Sequence, residues 1–136
     1  MKAFTLLVAF GSLVTCGIAR TMSSVAEAIK LADGGFRGEV EIAGIYDFHS
    51  EEDTLHDGGE DARLLELVLF PLLKDVPENE RYAARERLGK KFHGRRIVVY
   101  GEMKKGRIAG FSRDIIYIAV SKLKEEANQS PQPTRS

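Results

Sequence analysis

Two segments of the chain concentrate residues that could do chemistry. The first, residues 47–61, holds acidic residues and two histidines but no lysine or arginine. Three or four converging carboxylates and imidazoles can bind Zn²⁺ or another divalent ion. The metal candidates in this segment are His49, Glu52, Asp53, His56 and Asp57. Their spacing matches neither a calcium-binding loop nor an H-E-x-x-H helix, so we predict no cofactor and keep a divalent metal as an alternative.

The same segment could supply a general acid and a general base, because two neighbouring carboxyl groups can divide these roles. No feature of the sequence selects a pair, and the chain has no G-x-S-x-G nucleophile motif. We therefore predict a solvated acidic loop over residues 47–61 and no catalytic residue. The alternative is a metal-dependent or other enzyme that uses this loop.

The second segment, residues 81–113, is rich in lysine and arginine, and its acids are Glu86 and Glu102. Such an asymmetry can mark a surface that follows an anionic polymer, with aromatic side chains for stacking. The ligand-binding candidates are Arg95, Arg96, Lys104, Lys105, Arg107 and Tyr100. The alternative is that the acidic and basic segments face each other or are simply solvated, since the formal net charge is zero.

The first residues have the pattern of an export signal. Lys2 precedes an apolar run over residues 3–14, which is too short to span a bilayer. Small residues at Gly17 and Ala19 then suit a cleavage directly before Arg20. We predict a signal peptide over 1–19 and an extracytoplasmic mature chain, periplasmic or secreted, without a transmembrane span.

The single cysteine, Cys16, lies inside this signal. In an alternative interpretation residues 13–16 form a lipobox, and Cys16 carries the lipid anchor of a lipoprotein. Either way the folded domain has no thiol for a disulfide or a catalytic cysteine. Export also argues against nucleic acid as the physiological ligand, so the expected partners are an envelope polyanion or an unidentified protein.

Local patterns predict the elements that must position these residues. Ser24 and Glu27 form a capping box that starts a helix, and a second helix is expected to begin at Asp75. Strands are predicted over residues 38–46, 62–70, 95–103 and 113–122, with a turn at 104–106. Gly44 within the first strand suggests a bend, a bulge or a close backbone approach. The predicted core is Val40, Ile42, Leu88, Ile97, Val99, Ile116 and Ile118.

Three stretches carry a family resemblance: the first strand VEIAGIYDF, the helix end and strand LGKKFHGRRIVVYGE over residues 88–102, and the closing strand IIYIAV. Together they resemble an OB-fold over residues 36–124, and also small exported proteins with an OB-like core. In those proteins a Glu and a short triplet follow the first strand, and Glu52 with Thr54-Leu55-His56 stands at that place. The resemblance implies a mainly β, α+β domain: a five-stranded Greek-key barrel with a helix before the fourth strand.

The predicted organisation is a signal peptide (1–19), an N-terminal helix (20–35), an OB-like barrel domain (36–126) and a disordered tail (127–136). The tail is rich in proline and polar residues and has nothing to bury. OB-folds host many functions, so the resemblance implies a binding barrel without specifying any chemistry. We expect an exported, non-enzymatic binding or envelope-associated module.

Overall fold

The chain forms a mixed α+β fold that is mostly strands, as the sequence predicts. The computed structural model describes residues 19–50, 52–60, 62–108 and 110–126. Within them lie a six-stranded sheet and two α-helices. The elements are β1 (Arg20–Met22), α1 (Val25–Asp33), β2 (Gly38–Phe48), β3 (Asp53–His56), β4 (Leu65–Val68), 3₁₀ turns at Phe70–Leu73 and Glu78–Glu80, α2 (Arg81–Phe92), β5 (Arg96–Gly106) and β6 (Ile115–Glu125). The predicted signal peptide, except Ala19, and the predicted tail lie outside the described residues.

The sheet is organised around the long strand β2. The strand order is β1-β2-β3-β4-β6-β5, and β5 pairs with β2 as well. One edge of β2 is shared: residues 40–42 pair in parallel with β1, and residues 45–48 pair antiparallel with β3. The pairing of β4 with β6 is parallel, and those of β3 with β4 and of β5 with β2 and β6 are antiparallel. The pairings therefore link five strands in a cycle, although these strands are not spaced evenly around one axis.

Side-chain alternation along the strands builds the core. Val40, Ile42, Ile97, Val99 and Ile118 are fully buried, as predicted. The other two predicted core residues, Leu88 and Ile116, are partly buried and pack against this cluster. Tyr46, on the same side of β2 as Val40 and Ile42, is buried with them. The cluster also includes buried residues that were not predicted: Met22 of β1, Leu55 of β3 and Met103 of β5.

Helix α1 begins and packs as its sequence pattern predicts. The Ser24 hydroxyl accepts a hydrogen bond from the Glu27 amide at 3.1 Å, and the Glu27 carboxylate accepts one from the Ser23 amide at 3.2 Å. The helix lies against β2 at Gly44, where an added Cβ would come within 2.9 Å of Val25 and 2.8 Å of Leu55. The glycine in β2 therefore marks a close approach between helix and strand.

Three predicted boundaries are wrong. Residues 53–56 form strand β3 inside the predicted loop 47–61, because they pair with both β2 and β4. Residues 104–106 continue β5 instead of turning, since each pairs with a residue of β6. The helix predicted from Asp75 begins as the 3₁₀ turn Glu78–Glu80, and α2 proper starts at Arg81 with Glu80 as its N-cap residue.

Candidate functional site

A buried ion pair joins strand β3 to helix α2. The Nε of Arg85 donates to Asp53 Oδ2 at 2.8 Å, and the two side chains are only 8% and 5% exposed. The Tyr46 hydroxyl donates to the other oxygen, Asp53 Oδ1, at 2.5 Å. Burial and the adjacent Asp53 carboxylate raise the pKa of Tyr46 well above its usual value. Tyr46 therefore keeps its hydroxyl proton and can donate it in the hydrogen bond to the Asp53 carboxylate.

Two further N–H groups of Arg85 donate to the backbone between β2 and β3. Its Nη2 donates to the His49 carbonyl at 2.8 Å, and its Nη1 donates to the Ser50 carbonyl at 3.2 Å. The guanidinium also lies over the Phe48 ring, 5.0 Å from its centroid. Each of the three guanidinium nitrogens thus has a protein partner, so Arg85 fixes this connection and neutralises Asp53.

Two carboxyl groups meet beside this ion pair. Glu66 of β4 lies close enough to Glu52, which directly precedes β3, for a hydrogen bond between their carboxyl groups. Burial, that hydrogen bond, and the negative charges of Glu52 and Asp53 raise the pKa of Glu66 from 4.5 to about 8. A hydrogen bond between two carboxyl groups needs a proton on one of them. We call Glu52 and Glu66 the carboxyl pair.

The carboxyl pair lies in the wall of a cavity of about 360 Å³. Most of its other lining is apolar or aromatic, with Arg85 and Asp53 on one side. The lining residues are Ser50, Glu52, Asp53, Glu66, Leu67, Val68, Leu69, Phe70, Tyr82, Arg85, Ile108, Gly110 and Phe111. Its volume falls in the range of about 300–1,000 Å³ that is usual for small-molecule sites. We call it the aromatic cavity, after Phe70, Tyr82 and Phe111.

Two aromatic side chains of the aromatic cavity are unusually open to solvent. Phe70 is 51% exposed and Tyr82 is 65% exposed, and with Leu64 they are the large exposed apolar residues of the described chain. Both lie on the segment between β4 and β5, so one stretch of chain supplies them. Clustered exposed aromatics beside a concave surface are typical of a binding site.

A second cavity, of about 520 Å³, shares Glu66 and Phe111 with the first. It is otherwise lined by charged and aliphatic residues around Asp33 and Arg63. These two form an exposed ion pair at 3.2 Å, and such a pair contributes little binding specificity. The aromatic cavity combines apolar lining with a few polar groups, and it is the better candidate.

The five predicted metal candidates do not converge on one point in the structure. Asp53 pairs with Arg85, and Glu52 pairs with Glu66. Asp57 accepts from the Val25 and Ala26 amides at 2.7 and 2.9 Å, which caps α1. His56 Nε2 contacts Asp47 at 2.9 Å, while His49 is exposed. Over the described ranges, no three acidic or histidine side chains are grouped in a way that could hold a metal ion.

Most of the predicted polyanion-binding residues have acidic partners. Arg95 pairs with Glu125, and Arg96 Nε contacts Glu126 Oε1 at 2.7 Å. Lys104 lies 4.0 Å from Glu102, and Arg107 lies 3.7 Å from Asp114. Lys105 is exposed. The Tyr100 ring is covered by Lys122 and Lys124, whose ammonium groups lie 5.1 and 5.8 Å from its centroid. Four of the five predicted basic residues thus lie beside an acidic side chain.

Three residues of the aromatic cavity were not predicted from the sequence: Glu66, Phe70 and Tyr82. The basic segment already offered Arg85 as a contact for a polyanion and Phe111 as a stacking ring, but not as parts of this cavity. Glu66 stands between Leu65 and Leu67, so its position in an apolar run was the one available signal. Arg85 lies on the α2 face that packs inward beside Leu88 and Gly89, where an arginine is unusual. The pairing of these residues depends on strand register, which local patterns do not show.

No protein-family model matches the chain, and no curated protein matches it. Among the described residues, no helix has the length and apolar character needed to cross a membrane.

Proposed function

We propose that this protein is an exported binding module with an OB-like barrel, and that its ligand occupies the aromatic cavity. The barrel proposal is supported by the cyclic pairing of β2, β3, β4, β6 and β5. It is also supported by α2, which precedes the fourth strand of that cycle, β5, as in the fold that the sequence resembles. Export is supported by the charge, apolar and small-residue order of residues 1–19.

One observation carries the binding proposal: the aromatic cavity joins exposed aromatic rings to a small set of charged or acidic groups, of which Asp53 and Arg85 are buried, Glu66 is half-buried and Glu52 is exposed. Phe70 and Tyr82 leave apolar surface in contact with water. Burying such surface is favourable by about 25 cal/mol per Å². A ligand that covered both rings would recover that free energy. The ion pair Asp53–Arg85 ties β3 to α2 in the wall of this cavity.

The proposal is tested by nuclear magnetic resonance on the isotopically labelled full chain, with small aromatic compounds of positive, neutral and negative charge. We expect the amide signals of residues 67–70, 82 and 110–111 to shift with at least one class. Tyr82→Ala and Phe70→Ala should weaken that binding. Leu64→Ala is the matched control, because Leu64 is equally exposed but does not line the aromatic cavity. Shifts scattered over the surface, or none, would contradict the proposal.

A second candidate function is acid–base catalysis by the carboxyl pair. It is favoured by the pKa of Glu66, about 8, which lies near the operating pH at which a general acid or base is most effective. Turnover of a panel of chromogenic esters and glycosides tests this candidate. Glu66→Gln should abolish any turnover, whereas Glu39→Gln, an exposed change on β2, should not.

A further inference from the structure

We propose that the aromatic cavity binds a ligand with a primary ammonium group on an apolar body, and that the carboxyl pair holds the ammonium. This inference rests on the proposed binding function and names its ligand class. It follows from the charges that line the cavity, from their hydrogen-bonding capacity and from the position of the aromatic rings.

The first step is the net charge of the lining. Asp53 and Arg85 neutralise each other at 2.8 Å, which leaves Glu52 and Glu66 as acidic groups without a basic partner among the lining residues. The Arg85 guanidinium is only 8% exposed, Asp53 offsets its charge, and three of its five N–H groups already donate to Asp53, Ser50 and His49. An anionic ligand would meet the carboxyl pair without a free cation to offset it.

The second step is the charge state of the carboxyl pair. Burial and the negative charges of Glu52 and Asp53 raise the pKa of Glu66, so the pair carries less negative charge near neutral pH than two free carboxylates would. Both carboxyl groups line the cavity, so a single ammonium ion can meet the charge that remains. An ammonium group also has three donors, which suit the acceptor oxygens that two adjacent carboxyl groups present.

The third step is the apolar body of the ligand. Leu67, Leu69 and Ile108 line the cavity beside the carboxyl pair, and Phe70 and Tyr82 stand exposed in its wall. Aromatic faces attract cations by about 0.5–2 kcal/mol, and they also bury aliphatic or aromatic carbon. A bare inorganic cation would leave these rings in water, whereas an amine with an apolar body covers them.

The test compares benzylamine, benzyl alcohol and benzoate, which share a ring and differ in charge, by titration of the labelled full chain. We expect benzylamine to bind most tightly, with shifts at residues 67–70, 82 and 110–111, and benzoate most weakly. Glu52→Gln should weaken benzylamine binding by about tenfold or more, the equivalent of one charged hydrogen bond. Glu66→Gln should weaken it less, because the raised pKa of Glu66 favours its neutral form. Glu39→Gln, on an exposed site outside the cavity, should leave it unchanged.

The outcomes separate the two proposals. If benzyl alcohol or benzoate binds as tightly as benzylamine, or if both glutamine variants bind benzylamine normally, the ammonium inference is overturned while the binding module stands. If no compound of any charge perturbs the cavity residues, both proposals are overturned. Glu52 is exposed, so the Glu52→Gln variant remains a folded test even if Glu66→Gln impairs folding.

Discussion

Asp53 is the residue on which the local structure around the site most depends. It is buried, and both carboxylate oxygens are used, one by Tyr46 and one by Arg85. Asp53→Asn would leave the Arg85 guanidinium buried without a counter-charge. We expect this change to lower the free energy of unfolding by about 3–5 kcal/mol, measured by urea denaturation.

The exposed pair Asp33–Arg63 provides the control for that prediction. Its side chains are 54% and 68% exposed. Asp33→Asn should therefore change the free energy of unfolding by only about 0–1 kcal/mol. Equal effects of the two asparagine substitutions would show that burial of Asp53 and Arg85 does not strengthen their interaction.

Glu66 makes stability depend on pH with a defined sign. Because its pKa rises from 4.5 to about 8 on folding, the native state holds more protons than the unfolded state between these values. The stabilisation from protonated Glu66 is fully present below the unfolded value and is lost as the pH rises through the folded one. We expect wild type to have a higher urea midpoint than Glu66→Gln at acidic pH. This difference between the two midpoints should shrink as the pH rises to mildly alkaline values. The exposed control Glu39→Gln should show no such trend, and a pH-independent difference for Glu66→Gln would contradict the prediction.

At the scale of elements, helix α2 can lie close to β2 because its residue 89 is a glycine and has no side chain. A Cβ on Gly89 would overlap the ring of Phe48. Alanine normally favours a helix interior over glycine by about 1 kcal/mol. Here we expect Gly89→Ala to destabilise the protein by about 1–3 kcal/mol in thermal or urea unfolding, because the ring and the helix cannot both keep their positions.

Two variants check the cause of that effect. Gly34→Ala places a Cβ 3.5 Å from the Leu31 carbonyl, an ordinary contact, and should be nearly neutral. Phe48→Ala removes the ring, so Gly89→Ala should cost less in that background than in wild type. If the cost is the same in both backgrounds, the overlap with Phe48 is not its source.

Elements with a local signature were predictable, and those that depend on distant partners were not. Helix α1 follows from Ser24, Glu27 and the apolar spacing between them and Gly34, and β2 follows from its alternation. The sequence of β3 resembles a polar loop because it contains Asp53. This residue is buried in the structure with its partner Arg85, which lies 32 positions later in the chain. The carboxyl pair was hidden for the same reason: Glu66 comes to lie near Glu52 only through the register of β3 with β4.

At the scale of the whole molecule, the predicted cleavage site and the fold are compatible. Removal of residues 1–19 would leave β1 whole, from Arg20 to the buried Met22. We expect intact-mass analysis of protein made in a bacterial host to show Arg20 as the first residue, in the extracytoplasmic fraction. A lipid-modified Cys16 would establish the lipoprotein alternative. An unprocessed chain in the cytoplasm would contradict export.

The pairing of β6 has a consequence for the order of events during synthesis. Strand β6 is the partner of β4 on one side and of β5 on the other, and it is the last element of the described chain. A nascent chain that has emerged only through β5 therefore has two strands with unpaired edges and no means of closing the cycle. Cooperative folding must wait for residues 115–125, and the many contacts between distant segments make the final step slow compared with that of a helical bundle of equal length. Until then the apolar faces of β4 and β5 are open to chaperones or to aggregation.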